Sequence, residues 1–191
     1  MSAADTATAT PGPTLARAYL AGPEVFLPDA VAIGEAKKAI CAEHAVEGVY
    51  PLDPIAGRAP DYDGEALFEH CLAHLDACDL VIANLTPFRG PSMDVGTAVE
   101  IGYALGAGKA VYGYTNVAAD YRDRVGAAEP GEGGWLVEDF GFVDNLMCEG
   151  TVRRHGGEPV RTAVDAADPG ALLADLTGFR VAVARAAGDL T

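Results

Sequence analysis

A single charged residue, Glu100, stands in the body of an otherwise apolar stretch, with Ala98, Val99, Ile101, Tyr103 and Ala104 around it. An ionised carboxylate in such surroundings is costly unless hydrogen bonds hold it or a function retains it, and carboxylates of this kind are candidate catalytic groups. The alternative is a surface side chain on a helix whose exposed stripe is narrow. Upstream, Asp94 stands where a Gly-Pro loop becomes a helix. It reads either as an N-cap for that helix, with Thr97 in its first turn, or as a polar contact for a ligand. The step from Asp94 to Glu100 turns a helix by about 240° and raises it by about 9 Å, so the two acids share no face. If they cooperate, they do so at a ligand in a crevice beside the helix.

Such a crevice needs a scaffold. Short apolar runs at 17–22, 47–54, 79–85 and 109–115 alternate with segments of helical spacing at 29–45, 65–78 and 94–106. Asp29 is placed to cap the first of these helices. Strands that are nearly continuous apolar runs, each followed by a helix, predict a parallel sheet covered on both sides, a doubly wound α/β fold. Ligands of such sheets bind outside the carboxyl ends of the strands, which directs attention to YLAGPEVF, ANLTPFRGPSMD and YGYTN. The Gly22-Pro23 pair suits either a close backbone approach to a ligand or ordinary turn punctuation. No dinucleotide fingerprint or Walker A loop is present, because GAGKAV ends a helix rather than opening one. Beyond 115 a short helix is expected near AADYRDRV, a Gly-rich loop at GAAEPGEGG and one final helix over 168–188.

The chain has 191 residues, half of them hydrophobic, which fits one domain with a substantial core. The first sixteen residues, small and Pro-containing, read as a disordered tail without the pattern of a signal peptide, leaving 17–191 as the domain. With 13 basic against 28 acidic residues the formal charge is −15, which disfavours nucleic acid or an anionic membrane as partner and favours a small neutral ligand. Cys41, Cys71, Cys78 and Cys148 form no C-x-x-C pair and read as buried thiols of a cytoplasmic protein. The 94–106 helix is apolar almost all round, so it should be covered twice, by the sheet and by a second body such as a partner subunit.

The runs YLAGPEVF, CDLVIANLTPFRGPSMDVGTAVEIGYALGAGKAVYGYTN and DNLM together resemble the nucleoside 2-deoxyribosyltransferase family, over about 17–147 and most specifically over 79–116. The resemblance implies a flavodoxin-like sheet of about five strands with helices on both faces. It implies an enzyme that needs no cofactor and exchanges the base of a 2'-deoxynucleoside for a free purine or pyrimidine through a covalent sugar–enzyme intermediate. In the family's motif the nucleophile falls on Glu100. A carboxylate suits an anomeric carbon because the transition state is oxocarbenium-like. By the same resemblance Asp94 holds the sugar hydroxyls, Asp79 protonates the departing base, Tyr19 positions the nucleophile and Gly22 belongs to the substrate loop. Asn145 and Met147 of DNLM resemble residues that cover the sugar's 5' end from a neighbouring subunit, which implies a homo-oligomer with shared active sites.

Hydrolysis of the N-glycosidic bond of (deoxy)nucleosides or their 5'-monophosphates is the alternative activity. A phosphate would need a cation, and Arg89 is the one that the crevice loops supply, so a neutral nucleoside is favoured. A non-catalytic nucleotide-binding module is a reading of another class, disfavoured by the combination of Glu100, Asp94 and Tyr19. His70 and His74 share a helix face, but no third side chain completes a metal site, and no metal is expected.

Overall fold

The computed structural model describes residues 15–57, 63–126, 136–166 and 168–190. Its framework is a five-stranded sheet in the order β2-β1-β3-β4-β5, every pairing parallel. The strands are β1 (Ala16–Ala21), β2 (Val46–Val49), β3 (Leu80–Asn84), β4 (Ala110–Thr115) and β5 (Val160–Arg161). The helices are α1 (Ala30–Glu43), α2 (Gly64–Asp76), α3 (Val95–Gly106), α4 (Tyr121–Val125), α5 (Leu146–Arg153), α6 (Pro169–Ala174) and α7 (Thr177–Asp189). This is the flavodoxin-like order that the family resemblance implied, and the order reverses between β1 and β3.

Side chains alternate across the sheet and fix which helix covers which face. Ala18, Leu20, Leu80, Ile82, Tyr112 and Tyr114 pack with Ile40 and Cys41 of α1 and with Phe179, Ala182, Val183 and Ala186 of α7. Tyr19, Ala21, Val81, Ala83 and Val111 point the other way, toward Leu75 of α2, Ile101 and Ala104 of α3 and Val152 of α5. Strands buried on both faces explain the continuous apolar runs in the sequence. They also place Tyr19 and α3 on the same side.

Several local expectations are corrected. The final helix is two helices, because Asp175 is extended and its carboxylate accepts from the Thr177 amide at 2.8 Å. The Asn116 side-chain amide meanwhile donates to the carbonyls of Leu172 and Asp175 at 2.8 and 2.9 Å, closing the end of α6. Asp29 precedes α1 without a side-chain bond to it. The pairing of β5, only two residues long, with the end of β4 was not signalled by any apolar run. Cys41 and Cys78 are buried, whereas Cys71 and Cys148 are only half-buried, and all four are free thiols. The tail expected over 1–16 and the Gly-rich loop at 126–134 fall almost entirely outside the described residues.

Among the described residues helix α3 packs on the sheet and on α5, and its outer stripe stays open. Thr97, Ile101 and Ala104 are buried against the sheet side, while Val95 and Val99 on the outer stripe are 78% and 61% exposed. No helix among the described residues is long and apolar enough to cross a membrane.

Candidate active site

The site forms at the point where the strand order reverses. Chains leaving β1 and β3 turn in opposite directions there, opening a crevice outside their carboxyl ends. Tyr19 of β1, fully buried, donates its hydroxyl to Glu100 Oε1 at 2.6 Å. Period-two alternation aims Tyr19 at the α3 face, and the middle of α3 lies opposite it. The thiol of Cys71, from α2, stands against the same hydroxyl.

Burial dominates the electrostatics of the pair. It pushes the Glu100 carboxyl up to about 7; the Tyr19 hydrogen bond opposes this, while the charges of Asp94 and Glu24 add to it. The same burial, reinforced by Glu100, holds the Tyr19 phenol well above its ordinary range, so it is a neutral donor. Glu100 keeps part of its surface open to two adjoining hollows. The smaller, about 180 Å³, lies between Gly22, Val25, Phe26, Pro51, Leu52, Asp94 and Thr97. The larger, about 460 Å³, is apolar and lies between Phe68, Leu72 and Leu75 of α2 and Val99 and Tyr103 of α3. Leu67, Cys71, Gly96 and Glu100 border both.

Asp94 is the N-cap of α3: its Oδ2 accepts from the Thr97 amide at 2.9 Å and the Thr97 hydroxyl at 3.1 Å. The capping reading is therefore correct, and it coexists with a place in the crevice wall, where Asp94 and Glu100 are the two acidic side chains. The loop before Asp94 is pinned by Asp144, whose Oδ2 accepts from the Met93 amide at 2.7 Å and whose Oδ1 accepts from the Ser92 hydroxyl.

Gly22 borders the crevice, and a Cβ there would come within 2.0 Å of Glu24 Oε2. The absence of a side chain lets Glu24 fold beneath its own loop. Glu24 is fully buried, and its Oε1 lies 2.6 Å from Lys37 Nζ, 2.7 Å from the Tyr114 hydroxyl and 3.0 Å from Asn84 Nδ2. This cluster ties α1, β3 and β4 to the turn Pro23–Phe26 that walls the crevice. Sequence reading missed Lys37, although its spacing with Ile33, Ile40 and Cys41 puts it on the buried stripe of α1. Arg89 lies at the rim, its guanidinium over the rings of Phe26 and Phe88 at 4.9 and 4.5 Å.

Three expected site residues are not brought together with Glu100. Asp79 stands at the amino end of β3, where its Oδ2 accepts from the Arg17 amide and its own amide donates to the Arg17 carbonyl, both at 2.8 Å. Strand β3 carries the chain about 17 Å from there to the crevice. The expected role as proton donor to the departing base is corrected: Asp79 clamps the start of β3 to β1. Asn145 caps α5, accepting from the Met147 amide at 3.0 Å and donating to Glu138 at 2.9 Å. Met147, 71% exposed, faces a shallow hollow beside Val95 and Val99 on the outer side of α3. Neither borders the crevice of its own chain.

A crevice at the switch point of a doubly wound sheet, with a half-buried carboxylate held by a tyrosine, can seat a small ligand against that carboxylate. Comparison with known proteins narrows this further. The model of the family described as nucleoside 2-deoxyribosyltransferase matches residues 18–147, and the chain belongs to that family. It is similar to the 2-deoxyribosyltransferase of Leishmania mexicana, with a TM-score of 0.63 and 31% identity over 80% of this chain and 93% of that one. It is also 36% identical to an uncharacterized protein of Schizosaccharomyces pombe, over 73% of this chain and 78% of the yeast protein.

Proposed function

We propose that the protein is a nucleoside 2-deoxyribosyltransferase that exchanges the base of 2'-deoxynucleosides through a covalent 2-deoxyribosyl-Glu100 intermediate. The observation that carries this reading is the 2.6 Å bond from the Tyr19 hydroxyl to Glu100 Oε1, at the junction of two hollows. Tyr19 holds one carboxylate oxygen, which leaves Oε2 for the anomeric carbon. As the N-glycosidic bond breaks, positive charge grows on the sugar ring, and the carboxylate beside it stabilises that charge before bonding to it. The incoming base then attacks the same carbon and Glu100 leaves. Asp94, with one oxygen committed to Thr97, presents the other to the sugar hydroxyls. Gly22 and the turn after it form the wall nearest the sugar, and the family needs no cofactor for this chemistry.

Asn145 and Met147 serve a neighbouring copy in this reading, making the active form a homo-oligomer. Its partners are then 2'-deoxynucleosides, free purine or pyrimidine bases and further copies of itself, and its setting is the cytoplasm. Incubation with a deoxynucleoside and a different free base tests the proposal directly. Exchange of the base is the expected outcome; free 2-deoxyribose without exchange would make the protein a hydrolase instead. Glu100→Ala should lower exchange by about three orders of magnitude or more while the fold persists. Retained exchange in that variant excludes Glu100 as nucleophile.

A further inference from the structure

Where α2 meets the connection after β2, three polar atoms converge in a way that protons satisfy only by crowding. The Nε2 atoms of His70 and His74 lie 3.1 Å apart, and each is 2.9 Å from the main-chain carbonyl oxygen of Asp53. The rings meet edge to face, with centroids 4.6 Å apart. If neither Nε2 carries hydrogen, three lone-pair atoms face one another. If one does, its N–H is shared between two acceptors, and if both do, both donate to one carbonyl oxygen from only 3.1 Å apart, so each arrangement of protons crowds like groups together.

A metal ion would take all three donors at once without that crowding. Three donors on one face of an octahedron with bonds of about 2.1 Å are separated by about 3.0 Å, which is the size of this triangle. The imidazoles are neutral nitrogen donors of the kind that divalent zinc, nickel and cobalt prefer. The carbonyl is held in place from behind. The Asp53 carboxylate accepts from Lys38 Nζ at 2.7 Å and the Tyr50 amide at 2.9 Å, while the Asp53 amide donates to the Tyr50 carbonyl at 2.9 Å. His74 is nearly buried, which fixes its ring, and His70 is half-buried, which leaves the remaining coordination positions to water.

We propose that His70, His74 and the Asp53 carbonyl form a binding site for one divalent transition-metal ion, with water completing the coordination. Among the described residues no group of three or more His, Cys, Asp or Glu side chains is placed to hold a metal. The third donor here is main chain, which no side-chain pattern encodes. The ion would join α2 to the connection that follows β2. Pro51 and Leu52 of that connection and Leu67 and Cys71 of α2 all wall the crevice, so occupancy stiffens the wall opposite the Pro23–Phe26 turn. The site stands independently of the reaction assigned to Glu100.

Calorimetric titration of chelator-stripped protein with zinc and, separately, nickel tests it. One ion per chain with a micromolar dissociation constant is expected, and His70→Asn or His74→Asn should each weaken binding by about tenfold or more. Paramagnetic nickel should broaden the Cε1–H proton resonances of both rings together and spare those of His44 and His155. The proposal is overturned if the intact protein shows no saturable binding below millimolar metal. It is equally overturned if the folded double variant binds as the parent does, or if His44 or His155 broadens in place of His70 and His74.

Discussion

At the scale of the residue, Glu100 is kept where it is expensive to ionise. Its carboxyl is pushed up to about 7, against an ordinary value near 4.5, so the folded protein holds a proton there that the unfolded chain releases. Between these values stability must fall as pH rises, because the native state binds more protons than the unfolded one. Glu100→Gln removes this dependence. It should raise stability at pH 8 by on the order of 2–3 kcal/mol relative to the parent, measured by urea denaturation, while abolishing exchange. A nucleophile must be ionised, so kcat/KM should climb through about pH 7 and level above it. Tyr19 lowers the Glu100 value through its hydrogen bond, so Tyr19→Phe should move that rise to higher pH and reduce kcat/KM at pH 7 by about tenfold or more. An unmoved pH profile in Tyr19→Phe would mean that the tyrosine only packs.

At the scale of the element, the crevice depends on how α1, α3 and the turn after β1 are held. The turn Pro23–Phe26 rests on a buried ion pair, Glu24 with Lys37, both fully removed from solvent. Removing Lys37 leaves Glu24 in the interior with the neutral donors Tyr114 and Asn84 but no counter-charge. Lys37→Met should therefore cost about 3–5 kcal/mol in urea denaturation, more than its loss of packing would suggest. The double change Lys37→Met with Glu24→Gln should recover part of that loss, since the uncompensated charge is gone. Helix α3 starts where Asp94 caps it and where Asp144 pins the preceding loop. Its first turn, and with it the register that brings Glu100 opposite Tyr19, is thus fixed by two carboxylates from different segments. The spacing of α3 was legible in the sequence. The pin was not, because Asp144 is distant along the chain and only the fold brings it beneath Met93.

At the scale of the whole molecule, the outer stripe of α3 is apolar surface that the described residues leave uncovered. Val95, Val99 and Tyr103 face outward, and Met147 of α5 continues the apolar surface. The proposed homo-oligomer would bury this stripe and bring Asn145 to a neighbour's crevice. Val95→Asp should then convert the assembly to monomers in analytical ultracentrifugation and reduce exchange sharply, although Val95 borders neither hollow at Glu100. Mixed Glu100→Ala and Asn145→Ala subunits, inactive alone, should regain part of the activity after reassociation. An active monomer at nanomolar concentration would show that the site is built within one chain.

The sequence by itself determined the alternation of strand and helix, the doubly wound α/β class and the position of α3, and it singled out Glu100 and Asp94 as candidates, while the family resemblance added the flavodoxin-like order and Tyr19. These are local signals: apolar period, capping chemistry and one carboxylate in apolar company, all written within a helix or strand of their own. Tertiary structure alone decided the rest. It showed Asp79 bonded to Arg17 at the amino end of β3, opposite to the carboxyl end where the crevice opens. It split the final helix at Asp175, where Asn116 from the end of β4 takes the carbonyls that a continuous helix would have used. It set Lys37 beneath Glu24 and a main-chain oxygen of Asp53 between two histidines. Each of these depends on contacts between residues far apart in the chain, and a backbone carbonyl carries no mark in the sequence of where folding will aim it.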